Sequence, residues 1–354
     1  MRIVHTADIH LLASPDTAYP WGPARKQAVQ DTFARLIQET KRMKADLLLI
    51  AGDLFHRRPS FDDLNEINYL FRQIPETTVV LCAGNHDFIS ENSVYRTFPF
   101  AENVIGLWER VCTSVPVKGK DCRVYGLSYY AAQAPYNLYE GVKASGGERY
   151  HILLLHGGDA QHSPVDTVQL QSAGFDYIAL GHIHMPGVLL PHLAAFPGSL
   201  EPLDPSETGR RGFIVCELPD SGKPSIEFIP FSSAVYTDMV LEIQADTSLY
   251  ELKQKVREEA ERLGKDNIYT LRLSGSGRVF ADLRPEIFWE EANIIAIADE
   301  TLSDAYLEKL CAEEPDGVLA RFIKACRALQ GPEKEAAMKE GVSAILAAAE
   351  KRRR

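Results

Sequence analysis

The chain has 354 residues, of which 45% are hydrophobic and 25% are charged. This balance is typical of a soluble globular protein of about two domains and excludes a disordered or fibrous chain. The formal net charge of -11 argues against a polycation that coats nucleic acid, although bound divalent cations would reverse the sign locally. No apolar run reaches the ~18 residues of a membrane span, so we expect a cytoplasmic protein without membrane contact.

Five short apolar runs, rich in Val, Ile and Leu, predict strands that are buried on both faces. They cover residues 2–7, 46–51, 77–83, 151–155 and 176–180. Apolar residues recur at helical spacing over 25–43 and 62–71, which predicts amphipathic helices between the first three runs. This alternation of strands and helices indicates an α/β layered domain.

The pattern changes after about residue 238, where we expect a small α+β unit. Its strand candidates are 239–243, 269–273 and 294–297. Between the first two, a helix is predicted to begin at the capping-box pattern of Ser248 and Glu251 and to end at Gly264. The expected domains are therefore 1–235, 236–330 and a helical tail over 331–354.

Side chains that can bind metal follow each of the five apolar runs. They are Asp8 and His10, Asp53, Asn85 and His86, His156, and His182 and His184. Because ligands bind outside the carboxyl ends of strands in an α/β sheet, we expect these side chains to meet at one rim. Nitrogen and oxygen donors without a thiolate suit manganese, iron, zinc or magnesium and argue against a structural zinc site. These eight side chains exceed the need of one ion, which favours two ions sharing a carboxylate, the usual device for phosphate-ester hydrolysis.

Each of these motifs has an ordinary structural explanation when taken alone. Gly-Asp and Gly-Asn-His-Asp are common turn sequences, because Asn and Asp tolerate left-handed backbone conformations. The histidines could be satisfied by hydrogen bonds within a core. However, five of the ten histidines fall into the pattern, each at a strand end and in a consistent order. The combination favours a functional site.

The same motifs resemble the signature of calcineurin-like metallophosphoesterases over about residues 1–230. They are Asp-Ile-His at 8–10, Gly-Asp at 52–53, Gly-Asn-His-Asp at 84–87, His-Gly at 156–157 and Gly-His-Ile-His at 181–184. Within that superfamily, the chain is most similar to the SbcD-type DNA repair nucleases. Three segments suggest this branch: Gly-Asp-Leu-Phe-His at 52–56, the run 177–184, and Phe-Pro-Gly-Ser-Leu-Glu-Pro-Leu-Asp at 196–204.

The resemblance implies a role for each site residue. The first ion would be held by Asp8, His10 and His184, the second by Asn85, His156 and His182, with Asp53 as the bridge. His86 would act as general acid or phosphate-stabilising group, since an imidazole can exchange a proton near neutral pH. Asp87 would either orient His86 or brace the loop. His56 matches a second catalytic histidine tied to exonuclease action, and the alternative is a loop histidine.

The resemblance also implies a fold and an activity. The fold is a four-layer α/β/β/α sandwich with a smaller α+β capping domain. The activity is that of a two-metal DNA phosphodiesterase, a 3′-to-5′ exonuclease with endonuclease activity that processes double-strand breaks or hairpins. Manganese is the first choice for both divalent ions. The alternatives are an enzyme acting on a small phosphodiester or nucleotide, and a partner-binding scaffold with little activity.

Two kinds of partner follow from the same resemblance, a second copy of the chain and an SbcC-type ABC ATPase. The tail carries an apolar stripe formed by Met338, Val342, Ile345, Leu346 and Ala349. This stripe either packs on its own domain or docks on a coiled coil of the ATPase. Candidate DNA contacts are the basic pairs Arg57–Arg58 and Arg210–Arg211, for which the alternative is a solvated surface. The pair Tyr129–Tyr130 could stack on bases, and the alternative is core or interface packing.

Overall fold

The computed structural model describes residues 1–244, 246–275, 283–301 and 304–329, together with 334, 337–338, 340–342, 344–346 and 348. The chain divides into two compact units, Met1–Tyr236 and Thr237–Arg354. In the described part of the chain, no helix is both long enough and apolar enough to cross a bilayer.

The first unit is built on two six-stranded sheets. Its strands are β1 (Arg2–Thr6), β2 (Leu47–Ala51), β3 (Thr78–Cys82), β4 (Val104–Gly106), β5 (Thr113–Pro116), β6 (Cys122–Gly126), β7 (Tyr150–His156), β8 (Tyr177–Gly181), β9 (Gly187–Leu190), β10 (Ala194–Phe196), β11 (Gly212–Glu217) and β12 (Ser225–Pro230). The first sheet has the order β12-β11-β1-β2-β3-β4, and the second has the order β5-β6-β7-β8-β10-β9.

Helices cover the outer face of each sheet. They are α1 (Gly22–Arg42), α2 (Phe61–Phe71) and α3 (Thr167–Ser172), with a 3-10 turn at Val94–Arg96. In β2, Leu48 packs in a core with α1 and α2, whereas Leu49 packs in a second core shared with Ile152 and Leu154 of the opposite sheet. Because successive strand residues face opposite sides, each apolar run supplies two cores at once. The prediction of a four-layer α/β/β/α sandwich is confirmed.

The five predicted strands correspond to β1, β2, β3, β7 and β8. The first three are mutually parallel in one sheet, and the last two are parallel in the other. The sheets also meet at this end, since the carbonyl of Ala51 lies 2.9 Å from Nδ1 of His156. The rim expected from the sequence is thus formed by two facing sheets rather than by one.

The second unit has a three-stranded sheet in the order β13 (Tyr236–Ile243), β14 (Ile268–Gly275) and β15 (Asn293–Asp299). Its helices are α4 (Leu249–Leu263), α5 (Asp304–Glu313) and α6 (Val318–Arg327), and Pro285–Phe288 forms a 3-10 turn. The predicted capping box is confirmed, because Ser248 and Glu251 bond to each other's backbone N–H at the start of α4. Leu252 and Val256 of that helix are fully buried against the sheet.

The apolar stripe of the tail lies partly within the described residues. Met338 and Val342 are buried in a small core with Leu307, Leu310 and Ile323 of α5 and α6. This packing favours the interpretation in which the stripe belongs to its own domain. Ala349 lies outside the described residues.

Candidate metal centre

Tight backbone turns place the candidate ligands directly after the strands. Asp8, His10, Asp53 and His182 all have positive φ, at 49°, 51°, 48° and 93°. Such conformations cost of order 1–3 kcal/mol each in non-glycine residues and cluster at functional sites. The loops after β1 and β2 are joined by a hydrogen bond from the His10 N–H to the Asp53 carbonyl, at 3.0 Å. These strained turns direct the candidate ligands toward a common centre.

Asp8, His10 and His184 form the first ligand group. Nε2 of His10 lies 3.2 Å from Nε2 of His184, which in turn lies 3.9 Å from Oδ1 of Asp8. One ligand atom from each of the three residues falls within 4.8 Å of the others. The Asp8 carboxylate also accepts the backbone N–H of His182, with its two oxygens 2.9 and 3.0 Å away, so its orientation is fixed.

Asn85, His156 and His182 form the second group. Oδ1 of Asn85 lies 2.9 Å from Nε2 of His156 and 3.1 Å from Nδ1 of His182. The other ring nitrogen of His156, Nδ1, donates to the carbonyl of Ala51. This bond directs Nε2 toward the centre, as a partner on the outer nitrogen generally does for metal-binding histidines.

Asp53 lies between the two groups. Its Oδ2 is 3.7 Å from Nε2 of His10 and 3.5 Å from Nε2 of His156. Its Oδ1 accepts the backbone N–H of His86 at 2.9 Å. A single carboxylate oxygen therefore faces both sets of ligands.

The charges of the centre fit divalent cations. Asp8 and Asp53 are 0% and 1% exposed, and buried carboxylates need a paired charge or a metal. Burial is the largest influence on Asp8 and raises its pKa to about 6. Burial acts in the same direction on Asp53, but the charge and hydrogen bond of His156 outweigh it and hold the pKa of Asp53 below its usual range. Positive charge between the two carboxylates would therefore stabilise the site. Its mixed nitrogen and oxygen donors suit a borderline or hard ion.

Glycine is required where backbone runs closest to the ligands. A Cβ on Gly84 would stand 2.2 Å from Oδ1 of Asp53. A Cβ on Gly52 would stand 2.4 Å from Nδ1 of His156, and Gly52 has a φ of +84°. Any larger residue at either position would displace a candidate ligand.

His86 and His56 lie at the solvent-exposed mouth of the centre. The His86 ring packs edge-on against His10, with centroids 4.7 Å apart, and stacks on His56 at 5.2 Å. Nδ1 of His86 is 3.2 Å from the carbonyl of His56, and Nδ1 of His56 is 3.4 Å from Nδ1 of His10. Both rings therefore reach the side from which a substrate would approach.

Asp87 points away from solvent and into the loop packing. Its Oδ1 accepts the N–H of Gly84 at 2.8 Å, and its Oδ2 accepts the hydroxyl of Tyr95 at 2.8 Å and the N–H of Phe55 at 3.2 Å. Burial, followed by the charge of Asp53, raises the pKa of Asp87 to about 6. These contacts favour a role in bracing the loops after β2 and β3 over direct orientation of His86.

Two carboxylates that the sequence analysis did not single out contact the candidate ligands. Oε1 of Glu207 lies 2.6 Å from Nδ1 of His184, and Oδ2 of Asp159 lies 2.8 Å from Nε2 of His182. Asp159 follows His156 by only three residues, a proximity that could have identified it. Glu207 stands three residues beyond the family-like segment 196–204, and this proximity is the sequence signal that points to it.

The candidate DNA contacts occupy different environments. Arg57 is exposed and lies 3.8 Å from Asp63, and the guanidinium of Arg58 lies 5.3 Å from the ring centre of Phe88, close to His86 in sequence. Arg211, by contrast, is only 1% exposed. Tyr129 is also buried, which favours the core-packing interpretation for this side chain.

A four-layer sandwich with a nitrogen- and oxygen-lined centre where its two sheets meet is the architecture of a metal-dependent phosphoesterase. Comparison with known families agrees with this class. Residues 1–186 match the Calcineurin-like phosphoesterase family, and the chain belongs to that family. Its members hydrolyse phosphoesters with divalent metal ions.

Individual relatives are similar over most of the chain. A DNA double-strand break repair protein Mre11 of Methanopyrus kandleri is 27% identical over 288 residues, covering 73% of this chain and 62% of that protein. The uncharacterized metallophosphoesterase YhaO of Bacillus subtilis is 26% identical, with coverages of 75% and 69%. The Mre11 of Haloferax volcanii is also 26% identical, with coverages of 83% and 66%. The chain thus spans about two thirds of the length of these relatives.

Proposed function

We propose that this chain is a two-metal DNA phosphodiesterase, a 3′-to-5′ exonuclease with endonuclease activity that processes double-strand breaks or hairpin ends. The observation that carries the proposal is the position of the Asp53 carboxylate oxygen, which faces both ligand groups within 3.7 Å. DNA as the substrate is supported by relatives named double-strand break repair proteins, which are about 26% identical to the chain.

One ion would be held by Asp8, His10 and His184. The other ion would be held by Asn85, His156 and His182. Asp53 would bind both ions. Imidazoles, carboxylates and one amide suit manganese, iron, magnesium or zinc, and we take manganese as the first choice from the resemblance to SbcD-type nucleases. When bound, the two ions supply positive charge for the phosphate and for the attacking water.

The chain's own side chains would complete the reaction at the mouth of the centre. His86 is placed to donate a proton to the departing oxygen or to stabilise the phosphate, and its hydrogen bond to the His56 carbonyl fixes the ring. His56, stacked on His86, would assist in exonuclease cleavage. Asp87 would keep the loop of His86 in place through its bonds to Gly84 and Phe55.

Domain roles and partners belong to the same proposal. We assign residues 1–235 to the nuclease domain, 236–330 to a cap on bound DNA and 331–354 to a tail. The active assembly would be a homodimer bound to an SbcC-type ABC ATPase. Met338 and Val342 are buried and Leu346 packs against the same core, so any contact with that ATPase would fall to the other residues of the tail.

A comparison of substrates tests the function directly. The purified chain would be incubated with linear, 3′-overhang and hairpin DNA, with bis-p-nitrophenyl phosphate and with a cyclic nucleotide, each with manganese and with a chelator. We expect shortening of the DNA substrates with manganese and none with the chelator. Hydrolysis of the small diesters alone would assign the chain to small substrates, and no turnover with any divalent metal would leave a scaffold function.

A further inference from the structure

The ring of His184 is held from its outer side by a single carboxylate. Nδ1 of His184 and Oε1 of Glu207 are 2.6 Å apart, while Nε2 of the same ring faces His10 and Asp8. In the neutral imidazole, a proton on Nδ1 that is donated to this carboxylate leaves the lone pair of Nε2 directed inward. Glu207 therefore selects the ring form that can bind a cation.

Glu207 is itself fixed by three neighbours. Its Oε2 accepts the hydroxyl of Ser199 at 2.8 Å and the backbone N–H of Leu203 at 3.3 Å, and lies 3.7 Å from Nε of Arg211. The side chains of Glu207 and Arg211 are 12% and 1% exposed. A carboxylate that is largely buried and bonded through both oxygens can hold its partner at one angle.

The segment before Glu207 also holds the backbone of His184. The N–H of Ser199 donates to the His184 carbonyl at 3.1 Å. Gly198 has a φ of +75°, and a Cβ there would stand 2.5 Å from the same carbonyl oxygen. The segment contacts His184 on both its ring and its main chain.

Glu201, in the middle of this segment, ties it to the rest of the sandwich. Its carboxylate is 3.0 Å from Nη1 of Arg25, accepts the hydroxyl of Thr32 at 2.6 Å and accepts the N–H of Ser233 at 2.5 Å. Glu201 and Arg25 are 1% and 4% exposed. Because the anchor is buried, the segment cannot shift without breaking charged contacts in the core.

We propose that residues 196–207 form a positioning clamp for His184, with Glu207 as the positioning residue that fixes the imidazole for cation binding. The proposal rests on the metal centre in the proposed function and gives a structural purpose to a segment that otherwise carries no chemistry. The clamp acts on the ligand group of Asp8, His10 and His184 and leaves the group of Asn85 untouched.

Glu207→Gln and Glu207→Ala test the clamp by manganese titration calorimetry of the full chain. We expect the affinity at one of two sites to fall about 10–100-fold, more for Glu207→Ala, with the other site unchanged. Glu217→Gln is the matched control, because Glu217 is a surface carboxylate that pairs only with Arg2 among the described contacts. It should leave both affinities as they are.

A readout without metal separates positioning from stability. In the metal-free protein, ¹H–¹⁵N spectra of the histidine rings should show a protected Nδ1–H of His184, assigned with His184→Gln, that is lost in Glu207→Ala. A lower melting temperature with unchanged manganese affinity and an unchanged ring signal would overturn the clamp. The clamp and the proposed function can fail separately. If the wild-type chain binds two manganese ions and Glu207→Ala lowers the affinity of one site, the clamp is supported. If the same wild-type chain cleaves no DNA, the proposed function is wrong.

Discussion

Replacing Asp53 with asparagine should lower manganese-dependent hydrolysis of linear DNA by about a thousandfold, because several kcal/mol of transition-state stabilisation depend on the paired ions. The Asp53 oxygen faces both ligand groups, so a neutral amide weakens both cation sites at once. The measurement is the initial rate of nucleotide release, with manganese affinity determined on the same sample.

Asp46→Asn is the control for this substitution. Asp46 precedes the same strand, β2, but pairs at the surface with Lys120 and accepts the N–H of Arg2. Its replacement should leave the rate near that of the unmodified chain. If Asp53→Asn keeps most of its activity while folding normally, the two ligand groups do not work as a pair.

His86→Ala should separate catalysis from metal binding. Loss of a positioned proton donor should lower turnover by about 10²–10⁴-fold, since this is the usual contribution of general acid catalysis. Manganese affinity should stay nearly unchanged, because the His86 ring stands at the mouth and not within either ligand group. Single-turnover cleavage and metal titration would be measured in parallel.

A second surface histidine provides the comparison. His192 bonds to the carbonyl of Pro224 in the turn between β9 and β10 and is exposed, so His192→Ala should change neither turnover nor affinity. Loss of both ions in His86→Ala would show that His86 is a ligand. Unchanged turnover would remove it from the reaction.

Five central strands and the two long helices of the first unit could be predicted because their apolar patterns are unambiguous, whereas the other seven of its twelve strands were not predicted. The run 46–51 became Leu47–Ala51 and the helix over 25–43 became Gly22–Arg42. Strands buried on both faces need continuous apolar sequence, and helices between them need one apolar face, so both patterns are readable locally. The division of the strands between two sheets came only from the family resemblance.

The candidate ligands could be found because they follow those strands directly. Asp159 and Glu207 lie close to the same motifs in sequence, but the side chains that they contact could not be predicted. Glu207 meets His184 across 23 residues, and Asp87 turns inward to Tyr95 although it adjoins His86. Arg211 appears in the sequence as half of a basic surface pair, yet the structure buries it beside Glu207. Such contacts depend on how loops fold over one another, which residue spacing does not encode.

The most direct test of the paired centre is anomalous diffraction from crystals soaked in manganese. We expect two manganese peaks that share the Asp53 carboxylate, one beside Asp8, His10 and His184 and the other beside Asn85, His156 and His182. A single peak, or ions bound away from Asp53, would contradict the two-metal account.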